Sequence, residues 1–292
     1  MQAPPTASRC TASARIACLL RLQPNLPLHH LVRTGFLLAA LACEQAYGRG
    51  IDSAGAALVV SVDHVVPEYK GGEKFRSPPT IDTALLEDLA KRLALPLSLV
   101  GAQKDLADAP APADKGEAAL RVTTLSGVAA APPSIAVVPI GYRAAAMAIM
   151  RTDTTIRRWD DLRNRSVCVA WGGNHIGTIA PRYGAIEQVH PSVTDALIAF
   201  RTGGCDAMVH DSPMLEELIR LPEWKKFSAR LPAGPRTTLA FLVPAHDRQR
   251  VGLLRRVAAD WAAEGYTDAL VKNAVRNMAF EVYLEQDVPD CH

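Results

Sequence analysis

The sequence predicts an α/β fold built on mainly parallel sheets flanked by helices. From Ala56 onward, short apolar strand candidates alternate with amphipathic helical segments. That alternation is the signature of parallel sheets with helices on both faces. Several of the strand candidates are apolar along their whole length, the habit of strands buried on both faces. The chain of 292 residues, 49% hydrophobic and 21% charged, is long enough for two lobes or one large domain.

The elements follow in order. "AALVVSVDH" reads as a strand, "TIDTALLEDLAKRLAL" as an amphipathic helix, "LSLVGA" as a second strand and "AALRVTTLS" as a third. "ADAPAPADKG" and "AAAPPS" are loops, being rich in proline and small residues. The middle repeats the alternation through "AMAIMRTD", "RWDDLRNR", "SVCVAW", "IGTIAPRYGAI", "VTDALIAFRTG" and "CDAMVHD". "TTLAFLVP" is a further strand, followed by the helices "RQRVGLLRRVAADWAAEG" and "TDALVKNAVRNMAFEVYL".

One segment, "AFRTGGCDAMVHDSP", carries more than packing. Gly203 and Gly204 stop a helix, because glycine takes the left-handed cap conformation without strain. The strand that follows ends at Asp211, and the carboxyl ends of strands are where open α/β sheets bind ligands. Asp211 has a second reading, as the cap of the helix begun by "SPMLEELIR".

The first 48 residues differ from the rest. Positions 1–30 are proline-rich and lack periodicity. His29, His30 and Arg33 then precede "TGFLLAALAC", a basic flank, a short apolar run and a small-residue end. This is the build of a secretory signal, too short to span a bilayer. "ALAC" has the form of a lipid-attachment signal at Cys43, but Ala40 stands where leucine is usual, which weighs against lipidation. A buried helix opening the fold is the alternative. An exported chain keeps Cys168, Cys205 and Cys291, and an oxidising compartment favours pairing. Cys168 and Cys205 each begin a strand candidate, so neighbouring strands would bring them within bonding reach, two free thiols being the alternative. The net charge of +2, without a basic run, argues against a nucleic-acid partner. No CxxC or HxxxH spacing suggests a metal.

In their order, "VDHVVPEY", "TIDTALLEDLAKRL", "GYRAAAMAIMRTDTTIRRWDDLRNRSVCVAWGG" and "VTDALIAFRTGGCDAMVHD" resemble the segments of periplasmic solute-binding proteins of the polar amino-acid type, family 3, over roughly Ala57 to Asn277. The resemblance implies a type II fold: two α/β lobes with mainly parallel sheets, joined by two hinge strands. It places a first lobe at 55–148, a second at 149–238, and a return strand with C-terminal helices at 239–292. It implies a monomeric periplasmic receptor that hands a small amino-acid-like ligand to an inner-membrane ABC permease, without cofactor or catalysis. It also implies a Cys168–Cys205 disulfide.

For the ligand site, the resemblance points to Asp211 as the acceptor of an ammonium group. Asp63 and Tyr69 would meet the ligand side chain, and Thr123, Thr124 and Ser126 would supply hydrogen bonds. Tyr142 matches an aromatic near the hinge, with Gly141 replacing a proline. Gly173 and Asn174, in "WGGN", stand at a strand-to-helix turn whose amides suit a carboxylate. Two departures bear on the ligand. The family's carboxylate-binding arginine has no counterpart between Val122 and Tyr142, and the helix between the second and third strands is reduced. A non-transport accessory or sensor protein of the same fold is therefore a second expectation. A dehydratase-like enzyme is a more distant one, since no nucleophile, base and orienter form a set and His175 and His210 read as surface residues.

Overall fold

The computed structural model describes residues 57–65, 80–101, 120–126 and 131–285. Expectations for the leader, Cys43, Tyr69 and Cys291 fall outside these residues. The described strands are β1 (Leu58–Val62), β2 (Leu97–Gly101), β3 (Leu120–Ser126), β4 (Ile135–Met150), β5 (Ser166–Ala170), β6 (Ile186–His190), β7 (Ala207–Asp211), β8 (Ala229–Arg230) and β9 (Arg236–Pro244). The helices are α1 (Ile81–Leu93), α2 (Ile179–Tyr183), α3 (Val193–Arg201), α4 (Ser212–Leu218), α5 (Arg248–Glu264) and α6 (Tyr266–Leu284).

The strands form one curled sheet in the order β2-β1-β3-β9-β4-β7-β5-β6, with β8 on β4. Each end of the sheet is parallel: β1 pairs with β2 and β3, and β5 with β6 and β7. The middle is antiparallel. β9 pairs with β3 on one side and β4 on the other, and the far end of β4 pairs with β7. Two long strands thus join two parallel units, and β4 alone spans 16 residues.

That length departs from the sequence reading, which begins the strand only at "AMAIM". Pro139 and Gly141 are breakers by composition, yet the strand runs through them by means of a register shift between Pro139 and Arg143. A bulge is where proline's missing donor is tolerated within a sheet. Gly141 has φ of 102°, a conformation that favours glycine. "RWDDLRNR" also departs from the helix its pattern suggests: it forms a single 3-10 turn, Trp159–Leu162, held by Asp161 accepting from the amides of Arg157 and Arg158.

Packing follows from the sequence pattern. α1 buries Leu85, Leu86, Leu89, Ala90 and Leu93, a stripe at helical spacing, and opens on Thr80, whose hydroxyl accepts from the Thr83 amide. The β5–β7 unit packs Val167, Val169, Ala207 and Val209 with Ile156, Leu162 and Ile179 on one face. On its other face α3 lies against the strands. The C-terminal helices tie the units together. α6 touches α1, α3 and α4. Trp261 of α5, fully buried, donates its indole N–H to Asp88 of α1 at 2.7 Å. No helix among the described residues is long and apolar enough to cross a membrane.

Candidate functional site

The carboxyl end of β1 meets the carboxyl end of β5. His64, just past β1, lies edge-on to Trp171, just past β5, with ring centroids 6.0 Å apart. Its ring also rests on Gly172, so closely that a Cβ there would fall 2.1 Å from the ring. Gly172 is required twice over, since its φ is 76°. The two parallel units therefore face each other across the strand ends where α/β sheets bind ligands.

On the β1 side, Asp63 and Thr123, both expected to meet a ligand, bond to each other: the Thr123 hydroxyl donates to Asp63 Oδ2 at 2.6 Å. Arg121, two residues earlier on β3, adds a bond from Nη2 to Asp63 Oδ1 at 3.2 Å. The sequence reading passes over Arg121. Its signal was available, because a charge inside a strand read as buried demands a partner. Asp63 keeps a side chain 44% exposed, whereas Arg121 is 9% exposed beneath it. Thr124 is half-buried and Ser126 exposed at the end of the same strand.

On the β5 side, Asp211 closes β7 and is buried. It sits at the start of α4 but makes no side-chain capping bond, so its carboxylate is committed elsewhere. Tyr142, on the crossing strand β4, donates its hydroxyl to Oδ2 at 2.8 Å. His175, from the loop after β5, holds Oδ1 at 2.8 Å through Nε2. His175 is thus an inward residue, correcting its reading as a surface histidine. Burial opposes ionisation of Asp211, but the bond from His175, the neighbouring His210 and the Tyr142 hydroxyl outweigh it, and the carboxyl lies below its ordinary value. Burial and the Asp211 charge hold the Tyr142 phenol well above its ordinary value. Burial pushes the His210 imidazole down against the pull of Asp211, and its Nδ1 has no partner among the described residues, so His210 too is an inward residue rather than the surface one expected.

The turn after β5 uses its own amides. Gly173 donates to the Ala170 carbonyl at 3.1 Å, and Asn174 is exposed. The amides opening α2 are held by Glu187 of β6: Gly177 at 2.6 Å, Ile179 at 2.8 Å and Ala180 at 2.8 Å. Nothing in the local pattern of "IEQVH" announces this role.

Cys168 and Cys205 are joined, with Cα atoms 5.7 Å apart. Cys168, Cys205 and His190 bring metal-type donor atoms within 4.8 Å, but the two sulfurs are bonded to each other. Asp206 belongs to strand packing, accepting from the Ser166 amide and hydroxyl at 2.9 Å each.

No family model matches the chain, and no curated protein does. Among solved structures it is similar to an ancestral cationic amino acid solute binding protein, at 17% identity over 80% of this chain and 99% of that one, with a TM-score of 0.51. It is also similar to the GluR0 ligand-binding core in complex with L-glutamate, at 14% identity over 76% of this chain and 100% of that one, with a TM-score of 0.50. The fold is that of the two-lobed type II periplasmic binding proteins. β4 and β9 connect the two parallel units, with Asp63 and His64 at the end of the β1 unit and Trp171, His175 and Asp211 at the end of the β5 unit.

Proposed function

We propose that the chain is a periplasmic solute-binding receptor that captures a small polar, cationic ligand between its lobes and presents it to an ABC permease of the inner membrane. One observation supports the reading: an acid stands at the strand ends of each parallel unit, Asp63 just past β1 and Asp211 closing β7. A sheltered carboxylate holding an ammonium contributes about 1.5 to 3 kcal/mol. The reading agrees with the similarity in fold to an ancestral solute binding protein for cationic amino acids. In this reading the first 48 residues are a signal, residues 55–148 and 149–238 form the two lobes, and 239–292 return to complete them. Asp211, Asp63, Tyr69, Tyr142 and the Thr123 to Ser126 strand end surround the ligand. The receptor acts as a monomer and binds without catalysis or cofactor.

A non-transport accessory or sensor protein of the same fold is the second reading. It is favoured by the partners both acids already have: Arg121 and Thr123 on Asp63, Tyr142 and His175 on Asp211. A thermal-shift screen of the mature chain against amino acids, polyamines and small carboxylates separates the two, because a ligand bound only by the folded form raises its melting temperature. The receptor reading expects a concentration-dependent rise with at least one small cation. A melting temperature indifferent to every solute puts the accessory reading first.

A further inference from the structure

We propose that Cys168, Cys205 and His190 form a redox-gated zinc site: opening the disulfide frees two sulfurs that, together with the His190 imidazole, bind one Zn²⁺ ion. The role of these three residues does not depend on what Asp63 and Asp211 bind.

The sheet assembles the donors. β5 pairs in parallel with β6 so that Cys168 lies opposite Gln188, and Ala170 opposite His190. Residues paired on neighbouring strands share a face, as do residues two apart on one strand. Cys168, Gln188 and His190 therefore project together, away from the face on which Val167 and Val169 pack. Cys205, just before β7, is bonded to Cys168. Cys168 Sγ lies 3.3 Å from His190 Nε2, and the donor atoms of all three residues fall within 4.8 Å of one another. Gln188 Oε1 stands 3.3 Å from Cys205 Sγ. Both cysteines are buried, and His190, half-buried, is the most exposed of the three.

Two thiolates and an imidazole are a zinc ligand set. With Zn–S of about 2.3 Å and Zn–N of about 2.0 to 2.1 Å, tetrahedral coordination sets sulfur and nitrogen about 3.6 Å apart and the two sulfurs about 3.8 Å apart. The sulfur–nitrogen edge is nearly in place. The sulfurs have to part, and with Cα atoms 5.7 Å apart, rotation about the Cα–Cβ bonds does this without moving the strands. While bonded to each other they are not thiolates and hold no zinc. A dithiol opens the gate: its thiolate attacks one Sγ, the S–S bond breaks, and its second thiol then displaces that sulfur. The dithiol leaves as a disulfide, and its two electrons and two protons stay on Cys168 and Cys205. Zn²⁺ displaces both protons, and a water or Gln188 Oε1 fills the fourth position.

The test uses the untagged full chain with Cys10, Cys18, Cys43 and Cys291 replaced by serine, so that Cys168 and Cys205 supply the thiols that remain. It is compared oxidised and after anaerobic reduction by a trialkylphosphine, which takes its oxygen from water and ends as the oxide. The expected result is about one zinc ion retained per reduced chain and none per oxidised chain, with zinc raising the melting temperature of the reduced form alone. Cobalt in place of zinc should give the charge-transfer absorption of a metal thiolate. His190→Ala leaves the disulfide intact and should weaken zinc binding by the reduced chain at least about tenfold, the smallest loss expected when a ligand is removed. A reduced chain that takes up no zinc, or zinc held equally by the oxidised chain, overturns the proposal. So does a cobalt form without thiolate absorption, or a His190→Ala variant that binds as the parent does. A reduced chain that unfolds and is not restored by zinc overturns it as well, because metal binding at a native site favours the folded form.

Discussion

The Tyr142 hydroxyl and the Asp211 carboxylate meet at 2.8 Å, joining β4, which runs between the two parallel units, to the carboxyl end of β7. Both residues are buried, so the bond is sheltered from water. Replacing Tyr142 with phenylalanine keeps the ring and removes the donor. The variant is expected to lose about 1 to 3 kcal/mol of stability, the cost of leaving a buried charged acceptor short of a partner. Chemical denaturation of the two proteins measures it, and equal midpoints and slopes would show that the bond contributes nothing.

Acid should destabilise the fold in two windows. His210 and His190 both titrate below their ordinary 6.5, with burial the leading cause for each. The unfolded chain therefore takes up their protons first, and stability is lost as pH falls below about 6.5. Asp211, held below its ordinary 3.8, adds a second loss in the same direction below that value. Denaturation midpoints across this range check the sign. His210→Asn should flatten the upper window, and a wild-type midpoint that rises on acidification would contradict the assignment.

Much of the fold is legible in the sequence because burial writes itself into composition. β1, β5 and the second half of β9 are largely apolar runs, and α1 shows its stripe of leucines. β6 escapes because it is the edge strand: "IEQVH" leaves Ile186 56% and Val189 46% exposed, and pairing with β5 rather than burial makes it a strand. β4 escapes in part because Pro139 and Gly141 look like an interruption, when they mark a bulge in a continuous strand. In the site, Asp63 and Thr123, and Tyr142 and Asp211, come together at positions the resemblance picks out. Their further partners do not follow from local pattern. His175 reaches Asp211 across 36 residues and Arg121 reaches Asp63 across 58, contacts that only the folded arrangement creates.

The Cys168–Cys205 bond closes a loop with a sequence separation of 37. Removing it by the double serine replacement should cost about 2 to 4 kcal/mol, mostly through a less restricted unfolded chain. Intact-mass analysis after alkylation without reduction checks the pairing itself. Modification of both cysteines in the native protein would sink it.

Gly172 lets His64, just past β1, pack against the turn after β5. Gly172→Ala imposes a strained positive φ of about 1 to 2 kcal/mol and drives its methyl into the His64 ring. Adding His64→Ala relieves the collision but not the strain, so the double variant should be more stable than the additive sum of the two single changes. Strict additivity would mean that the His64 contact is absent in solution.

The central claim, that Asp211 holds a cationic ligand, is tested most directly by calorimetric titration of the tightest-binding cation from the solute screen into wild type, Asp211→Asn and Asp63→Asn. Each asparagine keeps the shape and removes the charge. The predicted result is at least about a tenfold loss of affinity for Asp211→Asn, a change of roughly 1.4 kcal/mol or more, and a measurable loss for Asp63→Asn. Affinity unaltered in both variants would contradict the claim.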